Sequence, residues 1–233
     1  MQSFLSHISQ LFLQSSCQSC QRASSEFFCP FCQAQLHTGI RSPLIEPPST
    51  LHPLPLFAWA TYDTSLRQII RQLKYNNQPA IGTWLGTEMA KSWINAKLHQ
   101  KFPRLLVIPI PMHKSKERQR GYNQAELISR SFARQIGYRH QPNALIRIRE
   151  TQPQFELSVG DRAQNLESAF SLAPNFKTNQ PILLIDDIFT TGATLRTAIK
   201  LLENQNIPVW GSVVTARGSL DTKLKIPKKL PKL

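Results

Sequence analysis

The chain has 233 residues, 41% of them hydrophobic, enough for one full-sized core and a small accessory unit, since domains commonly run to about 100–150 residues. No run approaches the roughly 18 apolar residues that a membrane helix needs, and Met1 to Ser16 lacks the basic start and small-residue cleavage site of a secretory signal, so the expectation is a cytoplasmic protein with no membrane insertion. Lys and Arg number 28 against 14 acids, and the net charge of +14 points to a polyanion partner, nucleic acid first.

From the amino terminus, Phe4, Leu5, Ile8, Leu11 and Phe12 recur at helical spacing and predict a short amphipathic helix packed on the main domain. All four cysteines follow in CQSCQRASSEFFCPFC, where Cys17, Cys20, Cys29 and Cys32 form two C-x-x-C pairs separated by eight residues. Each pair can offer two thiolates from one tight turn, with Ser19 and Pro30 as turn residues, and two pairs close a tetrahedral zinc site with Zn–S distances near ~2.3 Å. Four sulfurs leave no open position, so the metal would be structural. Disulfides or a redox pair suit neither a reducing compartment nor the absence of thioredoxin-like context. An iron–sulfur cluster also takes four thiolates, and zinc is the expectation. Phe27, Phe28 and Phe31 are expected to cover the site, and stacking on single-strand bases is their sharper use.

Residues 38 to 56 contain Pro43, Pro47, Pro48, Pro53 and Pro55, which neither a helix nor a central strand tolerates. The layout read from this is a helix and zinc ribbon over 1–37, a linker over 38–55, a main domain over 56–217 and a basic, disordered tail over 218–233. Within the main domain, 56–62 reads as a strand, and Asp63 caps a helix carrying Leu66, Ile69, Ile70 and Leu73 that ends near Lys74. Lys74, beside Tyr75, is read as a solvated helix end in preference to a ligand-binding cation. A second helix covers 80–98, a buried strand 105–109, and a loop dense in charge leads to a helix over 123–135 stopped at Gly137. Further strands fall at 143–149, 182–187 and 208–216, with a helix over 192–204. Strands that alternate with helices and are uniformly aliphatic imply an α/β fold with a mostly parallel sheet covered on both faces. The charge is uneven: residues 104–149 hold ten basic residues and two acids, whereas 150–215 hold four and seven.

The stretch PILLIDDIFTTGATLRTAI, residues 181 to 199, carries the chemistry. Ligands of such sheets sit beyond the carboxyl ends of the strands, where Asp186 and Asp187 lie. Thr190, Thr191, Gly192, Ala193 and Thr194 form the turn into the next helix, whose open N–H groups and dipole attract a phosphate. Two carboxylates that accept from adjacent ribose hydroxyls, beside amides that hold a 5′-phosphate, suit a sugar phosphate. Neither the Walker A loop nor the dinucleotide G-x-G-x-x-G fingerprint is present.

This stretch resembles the phosphoribosyl-pyrophosphate (PRPP) motif of type I phosphoribosyltransferases. The resemblance implies that Asp186 and Asp187 hold the ribose 2′ and 3′ hydroxyls, that Thr190 to Thr194 hold the 5′-phosphate, and that Mg²⁺ accompanies PRPP on substrate oxygens. VIPIPMHKSKERQRGYNQAELISRSFA (107–133), RIRETQPQFELSVGDRAQNLESAF (147–170) and the cysteine knuckle are similar to the ComF family of competence-associated proteins, which join a zinc ribbon to a phosphoribosyltransferase-like domain. Where that family has Phe in its R-G-F-N-Q stretch, this chain has Tyr122. By the same resemblance Pro109, Ile110 and Pro111 open the pyrophosphate loop, with Arg118, Arg120, Gly121, Tyr122, Asn123 and Gln124 following, and Arg118 and Arg120 join the two acids as catalytic candidates. Arg149, Thr151, Gln154, Arg162 and Asn165 fall in a mobile hood. Arginine suits both places because its guanidinium grips phosphate bidentately. Among the histidines, His113 alone, beside the pyrophosphate loop, has a functional reading. Two functions follow: a PRPP-binding adaptor for single-stranded DNA, working with other DNA-uptake or recombination proteins in natural transformation, or an active transferase that moves phosphoribose to an unidentified acceptor.

Overall fold

The computed structural model describes residues 15–39, 44–46, 49, 53–149 and 169–218; the expected amino-terminal helix and nearly all of the basic tail lie outside them. Eight strands are described: β1 Leu44–Glu46, β2 Leu56–Thr61, β3 Leu106–Pro109, β4 Arg139–His140, β5 Leu145–Arg147, β6 Phe170–Leu172, β7 Ile182–Phe189 and β8 Val209–Arg217. The helices are α1 Pro30–Gly39, α2 Thr64–Tyr75, α3 Pro79–Asn95, α4 Leu98–Lys101, α5 Lys114–Arg120, α6 Gln124–Ile136 and α7 Ala193–Asn204.

Six strands form one sheet in the order β1-β2-β8-β7-β3-β4. β2, β8, β7, β3 and β4 are mutually parallel, and β1 runs antiparallel along the β2 edge. This is the expected α/β, phosphoribosyltransferase-like architecture. The strands read as unbroken aliphatic runs because both of their faces are buried. Phe57, Trp59, Val107, Leu183, Ile185 and Val213 face a core shared with α2, α3 and α6. Leu56, Ala58, Ile108, Leu184 and Val214 face the other way, onto Leu195, Ile199 and Leu202 of α7 and onto Leu145 and Phe170.

Where α3 crosses α6, the backbones nearly touch. A Cβ on Gly86 would lie 2.2 Å from the Ile128 carbonyl oxygen, and one on Gly82 2.8 Å from Leu127 Cβ. Ser131 Oγ donates to the Thr83 carbonyl at 2.8 Å across the same crossing. The cysteine knuckle is not an independent knob. Phe28 is fully buried, and its ring meets Trp84 of α3 edge-on at 4.7 Å, while Phe27 stacks on Trp84 at 6.5 Å. Phe27 and Phe28 thus pack the knuckle onto α3, whereas Phe31 is 54% exposed under the Arg22 guanidinium.

Several local expectations are corrected. Pro30 opens α1 instead of sitting in a turn, a place where its missing N–H costs nothing. β1 lies within the proline-rich stretch, at the sheet edge where unpaired N–H positions are tolerated. The charged loop after β3 contains α5, which buries no residue and therefore has no apolar period to read; His113 Nδ1 caps it by accepting from Ser115 N at 3.3 Å. The strand expected over 143–149 is β5, which pairs with β6 in a separate two-stranded ribbon and not with the main sheet. The helix expected over 80–98 stops at Asn95, and Lys97, at φ 55°, turns the chain into α4.

Because Ile128 backbone leaves no room at Gly86, Gly86→Ala should lower unfolding stability by about 1–3 kcal/mol through overpacking. A shift of the urea midpoint at constant m-value would read it, and an unchanged midpoint would mean that the crossing relaxes freely.

Candidate functional site

β7 is buried on both faces as far as Ile185, then delivers Asp186 and Asp187 at its carboxyl end. Asp187 is buried, with 5% of its surface exposed, and its backbone N–H donates to Asp186 Oδ1 at 2.8 Å. A carboxylate in such a place requires a counter-charge. Lys74 supplies it: its Nζ forms an ion pair with Asp187 Oδ2, with the lysine side chain only 20% exposed. The reading of Lys74 as a solvated helix end is therefore corrected. Position 74 follows the last buried leucine of α2, and no local pattern separates a lysine that turns inward there from one that complements a helix carboxyl end.

The charges sort the two acids. Burial and the neighbouring Asp187 charge push the Asp186 carboxyl well above the usual carboxylate range. Burial also works against Asp187, but the Lys74 ammonium outweighs it and holds Asp187 below that range. Lys74 in turn is held above its ordinary value by Asp187, against its own burial. The result is one firm carboxylate and one carboxyl that ionises late.

The parallel register brings the next strand's loop to the same edge. Pro109 pairs with Ile185, and Ile110 N donates to the Ile185 carbonyl at 2.8 Å, so Pro109, Ile110 and Pro111 pass directly beside Asp186. Asn123 fixes the far end of this loop: its Nδ2 donates to the Ile110 carbonyl at 3.0 Å, and its Oδ1 caps α6 by accepting from Ala125 N. Arg120 donates to Gln124 Oε1, and its guanidinium sits 5.7 Å over the Tyr75 ring. The Tyr122 hydroxyl donates to the Leu73 carbonyl. That bond is a use for the oxygen that distinguishes Tyr122 from phenylalanine, and it ties the loop to the end of α2 that carries Lys74. Arg118 is exposed on α5.

After β7, Thr190 and Thr191 are exposed, and Gly192 at φ 71° turns the chain into α7, a conformation that side chains with a Cβ rarely adopt. Ala193 N donates to Thr191 Oγ1 at 3.4 Å, Thr194 lies in the first turn, and Arg196 Nη1 holds the Thr191 carbonyl at 2.7 Å. The arrangement is a helix amino terminus with exposed hydroxyls, next to two carboxyls, chemistry that matches a phosphate joined to a polyol. Of the hood residues, Arg149 is exposed just past β5; Thr151, Gln154, Arg162 and Asn165 lie outside the described residues.

The four cysteines converge as their spacing requires. Cys17 and Cys20 sit on a turn closed by Gln21 N to Cys17 O at 2.9 Å, while Cys29 precedes α1 and Cys32 lies in its first turn. All four sulfurs lie within 4.8 Å of one another, and Cys20 and Cys29 are 3.6 Å apart. A tetrahedron with ~2.3 Å metal–sulfur bonds has edges of about 3.8 Å, so the set fits a tetrahedral metal ion. Burial raises the Cys17 thiol, but backbone N–H groups of Cys20, Cys29 and Ser19 outweigh it and pull it down to about 6. Burial, with its neighbouring thiols, pushes Cys32 up to about 12. A bound cation is what would let all four ionise together.

The phosphoribosyl transferase domain family matches residues 119–231. Competence protein F of Haemophilus influenzae is 34% identical over 209 residues, covering 84% of this chain and 88% of its own. The DNA utilization protein YhgH of Escherichia coli K12 is 27% identical over 80% of this chain and 83% of its own, and competence protein ComFC of Bacillus subtilis is 28% identical over 61% of this chain and 55% of its own.

Three outcomes are expected. Lys74→Met should cost about 3 kcal/mol at pH 7 by stranding Asp187, and adding Asp187→Asn should recover most of it. Since Asp187 is held low in the folded state, the pair's stabilisation is complete above the unfolded value near 4 and is lost as pH falls through the lowered folded value; the gap between wild type and Lys74→Met in urea titrations should close there. Cys29→Ser should lose bound metal, read by elemental analysis, and metal content equal to wild type would argue against a four-sulfur site.

With a phosphoribosyl transferase domain, a four-cysteine knuckle and a relative of 34% identity along nearly its whole length, the chain belongs to the ComF family of competence-associated proteins.

Proposed function

We propose that this protein acts in DNA uptake or use, binds PRPP at the β7–α7 turn, and binds single-stranded DNA. One observation carries the PRPP reading: Asp186 and Asp187, charge-balanced by Lys74, stand at the carboxyl edge of a parallel sheet directly before the Gly192 turn into α7. In this reading the carboxyls take the ribose 2′ and 3′ hydroxyls, and the backbone N–H groups and hydroxyls of Thr190 to Thr194 take the 5′-phosphate. Pro109, Ile110, Pro111 and Arg120 border the space for the pyrophosphate, with Arg118 and Arg149 as further cations for it. The residues fit Mg²⁺ as a hard cation held mainly by substrate oxygens, and the cysteines fit a structural zinc ion. The DNA role rests on the names of the relatives, competence protein F and DNA utilization protein, together with the net charge of +14.

PRPP with Mg²⁺ should bind in calorimetry. Asp186→Asn, which leaves the Lys74–Asp187 pair in place, and Asp187→Asn should each weaken it at least tenfold with the fold intact by circular dichroism. Unchanged affinity in both would remove the ribose assignment. Pyrophosphate release across a panel of nucleobases and single-stranded DNA then separates the two readings: release that depends on both acids and on one acceptor makes the protein a transferase, and binding without release makes it an adaptor.

A further inference from the structure

We propose that the outward face of α2 is a track for a single nucleic-acid strand, running from the cysteine knuckle to the acid pair. The proposal rests on the DNA-binding reading above and names the surface that carries it.

α2 reads TSLRQIIRQLKY and contains no acid. Leu66, Ile69, Ile70 and Leu73 fill its inner face. The outer face borders an open groove of about 480 Å³; among the described residues its lining is Thr64, Arg67, Gln68, Arg71, Gln72, Tyr75 and Asn76, none of them a carboxylate. A merely solvated helix of this length would be expected to mix both signs of charge; this one presents guanidinium, amide, phenol and hydroxyl groups. Tyr75 is 73% exposed, an uncommon place for so large a ring, and the Arg120 guanidinium sits over it. Near the other end the Arg67 guanidinium lies 5.1 Å over the Tyr62 ring. The knuckle carries the same pairing in Arg22 and Phe31.

Each group has a counterpart in a single strand. Arginines neutralise phosphates, an exposed ring receives an unstacked base, and amides donate to and accept from base edges. A duplex keeps its base faces hidden and gives Tyr75 no role. An acidic peptide gives neither the ring nor the amide row a partner. The placement supplies direction: α1 packs on α2 at one side, and Tyr75 directly follows Lys74, the counter-ion of Asp187. Twelve residues of helix make the groove about 18 Å long, the reach of a few nucleotides.

The test uses full-length, metal-loaded protein and the fluorescence anisotropy of a labelled oligothymidylate. Tyr75→Ala should weaken binding about tenfold, one base stack, without changing the salt slope. Arg67→Ala with Arg71→Ala should lower the log–log salt slope by about 1.4, two phosphate contacts, with calorimetric PRPP binding unchanged. Arg139→Ala with Lys177→Ala, at the opposite edge of the sheet, should alter neither. If wild type binds the oligomer and the α2 variants bind it equally well, the track is wrong and the DNA reading survives. If wild type has no affinity for the oligomer, the DNA reading itself falls. Duplex bound as tightly as single strand, or polyglutamate competing at equal charge, would also overturn the track.

Discussion

The ion pair between Lys74 and Asp187 is the constraint around which the rest of the site is arranged. Asp187 ends a strand buried on both faces, and no carboxylate can stay ionised there without a cation in contact. The cation comes from the last turn of α2, which is separated from the end of β2 by only two residues. Thr61, Arg217 and Phe189 lie in register at the carboxyl edge of the sheet, so both ends of α2 are fixed at that edge. The helix is thus anchored at that edge while its apolar side fills the core shared with α3 and α6. The Tyr122 hydroxyl on Leu73 and the Arg120 guanidinium over Tyr75 then fasten the loop after β3 to the same place.

This fastening gives the two acids unequal duties. Asp187 is committed to Lys74, and Asp186 accepts from the Asp187 backbone while sharing its charge field. Asp187 is thus held ionised by its cation while Asp186 ionises less readily, and both are held by backbone that is itself part of the central sheet. Rigid acids face a turn whose one left-handed residue, Gly192, admits close approach of an oxygen.

Much of this was legible in the residues themselves. Unbroken aliphatic strands announced a sheet covered on both sides, Asp63 and Gly137 marked helix ends, and two C-x-x-C pairs announced a metal knuckle because four thiolates in such proximity have few other uses. What escaped shares one cause: it lacked a local signal. α5 buries nothing, so KSKERQR shows no period. β4 and β1 are a two-residue and a three-residue edge, too short for alternation to register. Lys74 was the costliest misreading, because its role is set by a residue more than a hundred positions away. The burial of Phe27 and Phe28 against Trp84 is of the same kind, decided by a helix the knuckle's own sequence does not mention.

That aromatic junction couples two parts of the molecule that differ in how they are held together. The knuckle is closed by sulfur atoms around a point, the body by apolar burial, yet Cys17, Phe28, Cys29 and Cys32 belong to the same continuous core as Trp59 and Leu85. Whatever free energy an ion spends in gathering the four sulfurs is therefore delivered into the body's core, and by thermodynamic reciprocity a ligand that firms the body also firms the grip on the ion. Opening the knuckle would strip Phe27 and Phe28 from Trp84, so its closure bears directly on how much apolar surface the main domain exposes.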